Sequence, residues 1–206
     1  ALHEIFLLDG GTYVLGFLLL SQIPYRPATT KEIDRGPVMQ RMRQGFQYLK
    51  DHQPILRFGI ASHMVFFALL VTIQVIMPVY VKDYLAAPAL VLSSFKGFYS
   101  IGAISAGLLG LSALIKRGHL VRQVIFLLGL AGALFMTLAL TRSVTLTLVL
   151  AIFIGICNAG TRILRVTYLV RVVPNRVIGR VNSFLMVINV MLRTSFIGLL
   201  ALPFFA

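Results

Sequence analysis

The residue with the most chemistry to offer in this chain is an arginine set in hydrocarbon. Arg193 lies about halfway along the apolar stretch 181–205, and an arginine at the centre of a spanning helix costs about 2.5 to 3.5 kcal/mol on the translocon scale. Its guanidinium therefore calls for a wet cavity, where it would bind an anion, or for an acidic partner on another helix. Asn189 precedes it by one helical turn and Asn182 by three, so a polar face runs along this stretch. A second series closes the preceding apolar run, 148–157: Asn158, Arg162 and Arg165 fall at i, i+4 and i+7. Those groups would hold an anionic or amphipathic solute. The competing expectation is that arginines toward the end of a span extend to lipid headgroups, which weighs against Arg162 and more heavily against Arg165.

Two further stretches carry polar groups. His63 and Gln74 are eleven residues apart, hence on one helical face with Leu70 between them. They would line a cavity or form hydrogen bonds between packed helices. Lys96 lies a turn or two from the outer end of its stretch, where lining a cavity and reaching for headgroups are equally open to it. Around it Gly97, Gly102, Ala106 and Gly110, with Ala103 and Gly107 beside them, are spaced to let helix backbones approach closely. Asp9 is the one acid inside an apolar window, near a boundary, where it is expected to pair or cap rather than carry protons. Enzymatic catalysis is not expected. His3, His52, His63 and His119 fall on different elements, no metal-ligand spacing or phosphate-cradling glycine loop occurs, and the single cysteine, Cys157, sits in an apolar run. No cofactor and no metal are expected.

Membrane spans must hold these groups in place. The 206 residues are 58% hydrophobic and 12% charged, with mean hydropathy +0.91, whereas a soluble domain is about 45 to 50% apolar and about 25% charged. Six windows, 5–23, 58–80, 90–114, 120–140, 144–168 and 181–205, are long enough to cross a hydrocarbon core of about 30 Å. The net charge of +13 then belongs to the connections and not to a nucleic-acid surface. Arg26, Lys31, Arg35, Arg41, Arg43, Lys50, Arg57, Lys116, Arg117, Arg122, Arg171, Arg176 and Arg180 fall on one side, against Lys82 and Arg142 on the other. This bias places 24–57, 115–122 and 170–180 in the cytoplasm, with the first span running inward and the last outward.

Within 24–57, Val38, Met42, Phe46 and Leu49 recur at helical spacing, while Arg41, Arg43, Gln44, Gln47 and Lys50 take other faces. The pattern predicts a helix that lies against anionic headgroups or packs on the bundle ends as a solvated surface helix. The window 124–140 holds nothing more polar than Thr137 and is expected to face lipid. With no tryptophan in the chain, Tyr25, Tyr80, Tyr84 and Tyr168 are the candidate interfacial anchors. The chain opens on Ala-Leu-His-Glu without a signal peptide and ends while still apolar, so it is expected to be a piece of a longer polytopic chain.

Four segments carry a resemblance. Residues 43–57 (RQGFQYLKDHQPILR) are similar to the segment before the seventh helix in one branch of the major facilitator superfamily, the branch of the enterobactin exporter and macrolide efflux proteins. Residues 6–13 (FLLDGGTY) resemble its motif at the outer end of the sixth helix, 77–81 (MPVYV) the end of the seventh, and 173–181 (VPNRVIGRV) the junction between the tenth and eleventh. Arg176 departs from the acidic residue common in that junction, and 116–119 (KRGH) lacks the aspartate of the superfamily's loop. The resemblance implies an all-α integral membrane fold in which these are the sixth to eleventh helices of a twelve-helix carrier. It implies a sixth-helix span over 1–23, a basic cytoplasmic linker with an interfacial helix over 24–57, and a C-terminal bundle over 58–206. It also implies that the seventh, eighth, tenth and eleventh helices face the cavity while the ninth, here 120–140, is peripheral.

The resulting expectation is a multi-pass protein of the plasma (inner) membrane, a secondary transporter working by alternating access. Its partners would be the bilayer, a small-molecule substrate and the N-terminal half of the same carrier, with no nucleic acid. Cationic groups at the midplane point to export of an anionic or amphipathic molecule, siderophore-like or drug-like. Proton coupling would need a titrating group outside these residues, since no midplane carboxylate occurs here. The alternative is a membrane-embedded scaffold or partner subunit without transport.

Overall fold

The computed structural model describes residues 2–23, 37–109 and 118–200. It divides at residue 36 into two units. In the first, helix α1 spans Leu2–Ser21, and its apolar part is Phe6–Ser21. Thr12 donates to the Asp9 carbonyl at 2.7 Å. Asp9 lies well inside this helix, exposed, rather than capping its end.

In the second unit every described element is helical. Helix α2 spans Val38–Asp51, α3 Gln53–Tyr84, α4 Leu90–Leu109, α5 Leu120–Leu140, α6 Val144–Val172 and α7 Asn175–Leu200. Among the described residues four helices, α3, α5, α6 and α7, are long and apolar enough to cross a membrane. Six windows were expected. The described apolar part of α1 is shorter than a span, and α4, diluted by Lys96 and its serines and glycines, leads into residues outside the described ones.

Local chemistry sets the boundaries. Pro54 occupies the first turn of α3, where its missing N–H costs nothing. Ser143 caps α6 by accepting from the Leu146 N–H at 3.4 Å. Pro174 stops α6 and α7 begins directly after it. Helix α3 contains two wide turns, Thr72–Ile76 and Tyr80–Tyr84, on either side of Met77–Val79. Pro78 lacks an N–H and its ring would press on the preceding turn, and widening the neighbouring turns relieves that conflict.

Three apolar clusters stack from one end of the bundle to the other. At one end Leu49 and Ile55 meet Leu169, Val173, Val181 and Leu185. The middle holds Ala106, Leu120, Val124, Cys157 and Leu164. At the far end Met77, Val81, Phe95, Leu138, Leu150 and Ile154 pack together. The start of α3 thus meets the end of α6 and the start of α7, and the end of α3 meets the starts of α4 and α6 and the end of α5. Successive helices from α3 to α7 alternate in direction, which puts Arg57, Arg171, Arg176 and Arg180 at one end and Lys82 and Arg142 at the other.

Helix α2 packs on the bundle at the more basic end. Leu49 is fully buried, the Phe46 and Phe184 rings lie 5.3 Å apart, and Arg180 donates to the Gln44 side-chain oxygen. A Cβ on Gly45 would stand 2.8 Å from the Arg180 carbonyl oxygen, so only glycine permits this approach. The closest approach of all is between α4 and α6. Gly102 abuts the Ile152 carbonyl and Gly155 abuts the Tyr99 carbonyl. The small-residue pattern does bring backbones together, but only in part. Gly97 and Gly107 face open space, and Gly110 lies outside the described residues. Helix α5 buries Val124, Leu127, Ala131 and Leu138 against the bundle and leaves Ile125, Phe126, Met136 and Leu140 exposed, a lipid-like outer face.

Three of the four candidate anchor tyrosines make specific contacts. The Tyr80 hydroxyl reaches the Leu138 and Thr141 carbonyl oxygens, at 2.9 and 2.7 Å, and so closes the end of α5. Tyr84 stacks on Tyr80 and lies beneath Arg142, whose guanidinium is 5.3 Å from the ring centroid. Tyr168 packs on Phe58 at 4.2 Å. Tyr25 lies outside the described residues.

Candidate functional site

Helix α3 is the post on which the polar groups of its neighbours are hung. Arg165 of α6 donates to the Ser62 carbonyl oxygen at 2.9 Å. Asn189 of α7 donates to the carbonyl oxygen of the next residue, His63, at 3.4 Å. The two acceptors are adjacent, so α6 and α7 are fastened to α3 at one level. Ser62 in turn donates to the Gly59 carbonyl at 3.1 Å, and the His63 Nδ1 is 2.7 Å from that same oxygen. Gly59 leaves room for Leu185, whose methyl carbon would be 2.7 Å from an added Cβ. Because Gly59 faces Leu185 and His63 faces Asn189, α3 and α7 run in the same direction along this contact.

This arrangement corrects the reading of Arg165. Expected to extend to headgroups, it is 9% exposed and turned inward. A buried guanidinium must find acceptors, and a helix carbonyl has a second lone pair to offer. Asn189 is also enclosed, at 6% exposure, in the contact with α3 rather than beside Arg193 on an open wall. Asn158 is buried as well and donates to the Tyr99 hydroxyl of α4 at 2.6 Å. Of the expected polar faces, then, one part is used up in joining helices.

The remainder stays open. Arg162 is exposed and Arg193 half-buried, and neither makes a hydrogen bond or ion pair with any described residue. Arg162 lies three residues before Arg165 and Arg193 four after Asn189. At 1.5 Å rise per residue these offsets are about 4.5 and about 6 Å. Helices α6 and α7 run oppositely, so both offsets point away from the more basic end. The two arginines therefore stand about one turn beyond the level at which α6 and α7 are fastened to α3. Lys96 is exposed on α4.

Gln74 is exposed and falls inside the first wide turn of α3. The eleven-residue spacing to His63 assumed an unbroken 3.6-residue period, which that turn interrupts. A cavity of about 670 Å³ between α3 and α5 is walled by Thr72, Ile76, Tyr80, Tyr84, Phe135 and Leu138, and none of the seven expected residues lines it. Among the described residues no group of His, Cys, Asp and Glu is arranged to hold a metal.

Sequence reasoning passed over Tyr99 and Ser62. A tyrosine nine residues into an apolar helix was a usable signal for the first. Ser62 left none, because it is its backbone that binds.

A family model described as Major Facilitator Superfamily matches residues 2–194 of the chain. No curated protein and no solved structure matches it.

Proposed function

Because the chain belongs to the major facilitator superfamily, a family of secondary transporters and not of enzymes, we propose that it forms one wall of an exporter for a small anionic or amphipathic molecule. The bilayer and a small solute are the partners of such a carrier. Helices α3, α4, α6 and α7 correspond in this reading to the seventh, eighth, tenth and eleventh helices, α5 to the peripheral ninth, and α1 to the sixth. The residues 24–57, 115–122 and 170–180 face the cytoplasm of a cell whose plasma membrane holds the protein. The facing wall comes from the other half of the carrier, which also supplies the proton-titrating group, and the two halves rock about a midplane site.

One observation carries the proposal: Arg162 and Arg193 stand at a similar depth on two helices, with no hydrogen bond or ion pair to any described residue, while their neighbours Arg165 and Asn189 are consumed in packing. A cation left unpaired within a span is costly, and an anionic substrate in a wet cavity offsets that cost. Within the branch the sequence resembles, a siderophore-like anionic cargo meets this description.

The test is Arg193→Gln and Arg162→Gln in the full-length protein. Each should lower uptake of an anionic substrate into inside-out vesicles by about tenfold or more, as the loss of about 1.5 to 3 kcal/mol from a charged hydrogen bond implies, while leaving the unfolding midpoint unchanged. Transport by both variants at the wild-type rate would overturn the cationic-site reading. Wild-type protein that moves no substrate would favour a scaffold.

A further inference from the structure

At the more basic end of the bundle a cavity of about 590 Å³ opens between the start of α5 and the end of α6. Its walls combine two chemistries. His119, Arg122 and Arg171 supply cationic or donor groups, whereas Leu120, Ile125 and Val172 supply apolar surface. Arg122 comes from α5 and Arg171 from α6, so the charge is gathered from two helices and not from one basic run. Both arginines are exposed, and neither has a hydrogen bond or ion pair with any described residue. Tyr168 closes one side and is itself held against Phe58 with ring centroids 4.2 Å apart. The volume is that of a ligand site, since such sites run from about 300 to about 1,000 Å³.

We propose that this cavity binds the phosphate of an anionic phospholipid. The guanidinium groups of Arg122 and Arg171 hold the phosphate oxygens, and the acyl chains leave along Ile125 and the exposed Phe126 on the outer face of α5. Charge complementarity selects the headgroup, because basic pockets between spanning helices at the membrane surface are where anionic lipids lodge. The apolar half of the lining selects a lipid over a soluble anion. Arginine suits the task because its planar fork meets phosphate oxygens two at a time. The site is separate from Arg162 and Arg193, neither of which lines it, and the proposal does not depend on the transport reading.

The experiment is native mass spectrometry of the full-length protein in detergent, titrated with phosphatidylglycerol and, separately, with phosphatidylcholine. Retention of phosphatidylglycerol over phosphatidylcholine is expected. Arg122→Gln and Arg171→Gln should each weaken it about fivefold, the effect of one basic residue at a membrane surface, and the double variant more. Arg122→Lys should retain more binding than Arg122→Gln, which separates loss of charge from misfolding. Arg57→Gln, at the same end but outside the cavity, should bind as wild type. Equal retention of the two lipids, wild-type binding by the double variant, or an equal loss in Arg57→Gln would each overturn the assignment. So would displacement of the lipid by millimolar inorganic phosphate, which would identify a soluble anion as the occupant.

Discussion

Arg165 and Ser62, 103 positions apart in sequence, are joined by a 2.9 Å hydrogen bond from a buried guanidinium to a helix carbonyl. This contact ties the end of α6 to α3 at the level where Asn189 ties α7 to the His63 carbonyl. It decides which of two arginines, three residues apart, is structural and which is free.

Arg165→Ala should therefore destabilise the bundle by about 1.5 to 3 kcal/mol, the worth of a hydrogen bond to a charged group. Arg162→Ala, at an exposed position, should leave stability within about 0.5 kcal/mol of wild type. Unfolding midpoints in detergent check both. Equal losses in the two variants would contradict the division of roles.

Gly102→Ala would push a methyl group into the Ile152 carbonyl, and Gly155→Ala into the Tyr99 carbonyl. Backbone cannot yield as a side chain would, so α4 and α6 must separate, at about 1 to 3 kcal/mol or more each. Gly97→Ala faces open space and should be neutral or raise stability by up to about 1 kcal/mol through helix propensity. Thermal unfolding of the three variants side by side measures the contrast.

Tyr80→Phe removes the hydroxyl that closes the end of α5 on the Leu138 and Thr141 carbonyls. The expected cost is about 0.5 to 1.5 kcal/mol. Hydrogen exchange should show it locally, as faster exchange in the last turn of α5 and little change at the far end of α6.

Leu49→Ala empties a fully buried position between α2 and the bundle, at about 2 to 5 kcal/mol for a core leucine. The loss should fall on α2, so amide exchange over residues 38–51 is expected to rise well before the rest of the bundle loosens. Uniform exchange across all helices would show that α2 is not a separately released element.

Much of the scaffold was legible because a bilayer allows few solutions. Backbone groups in hydrocarbon must be satisfied within a helix, so long apolar runs dictate α3, α5, α6 and α7. The spacing of Met42, Phe46 and Leu49 likewise announced α2, and Pro174 announced the break between α6 and α7. The apolar window 124–140 is part of α5, and its Ile125, Phe126, Met136 and Leu140 are exposed.

The polar series Asn158, Arg162 and Arg165 was visible in the sequence, but the division of labour within it was not. Helical periodicity says which residues share a face; it does not say whether that face meets water, lipid or another helix. Only the tertiary structure set Tyr99 against Asn158 and the Ser62 carbonyl against Arg165. Only it showed that the wide turn Thr72–Ile76 interrupts the register between His63 and Gln74. Spacing along a chain determines direction around one axis, whereas enclosure depends on what a second and third axis bring up against it. For that reason the sequence alone could name the arginines, and the packing of α6 and α7 on α3 had to choose between them.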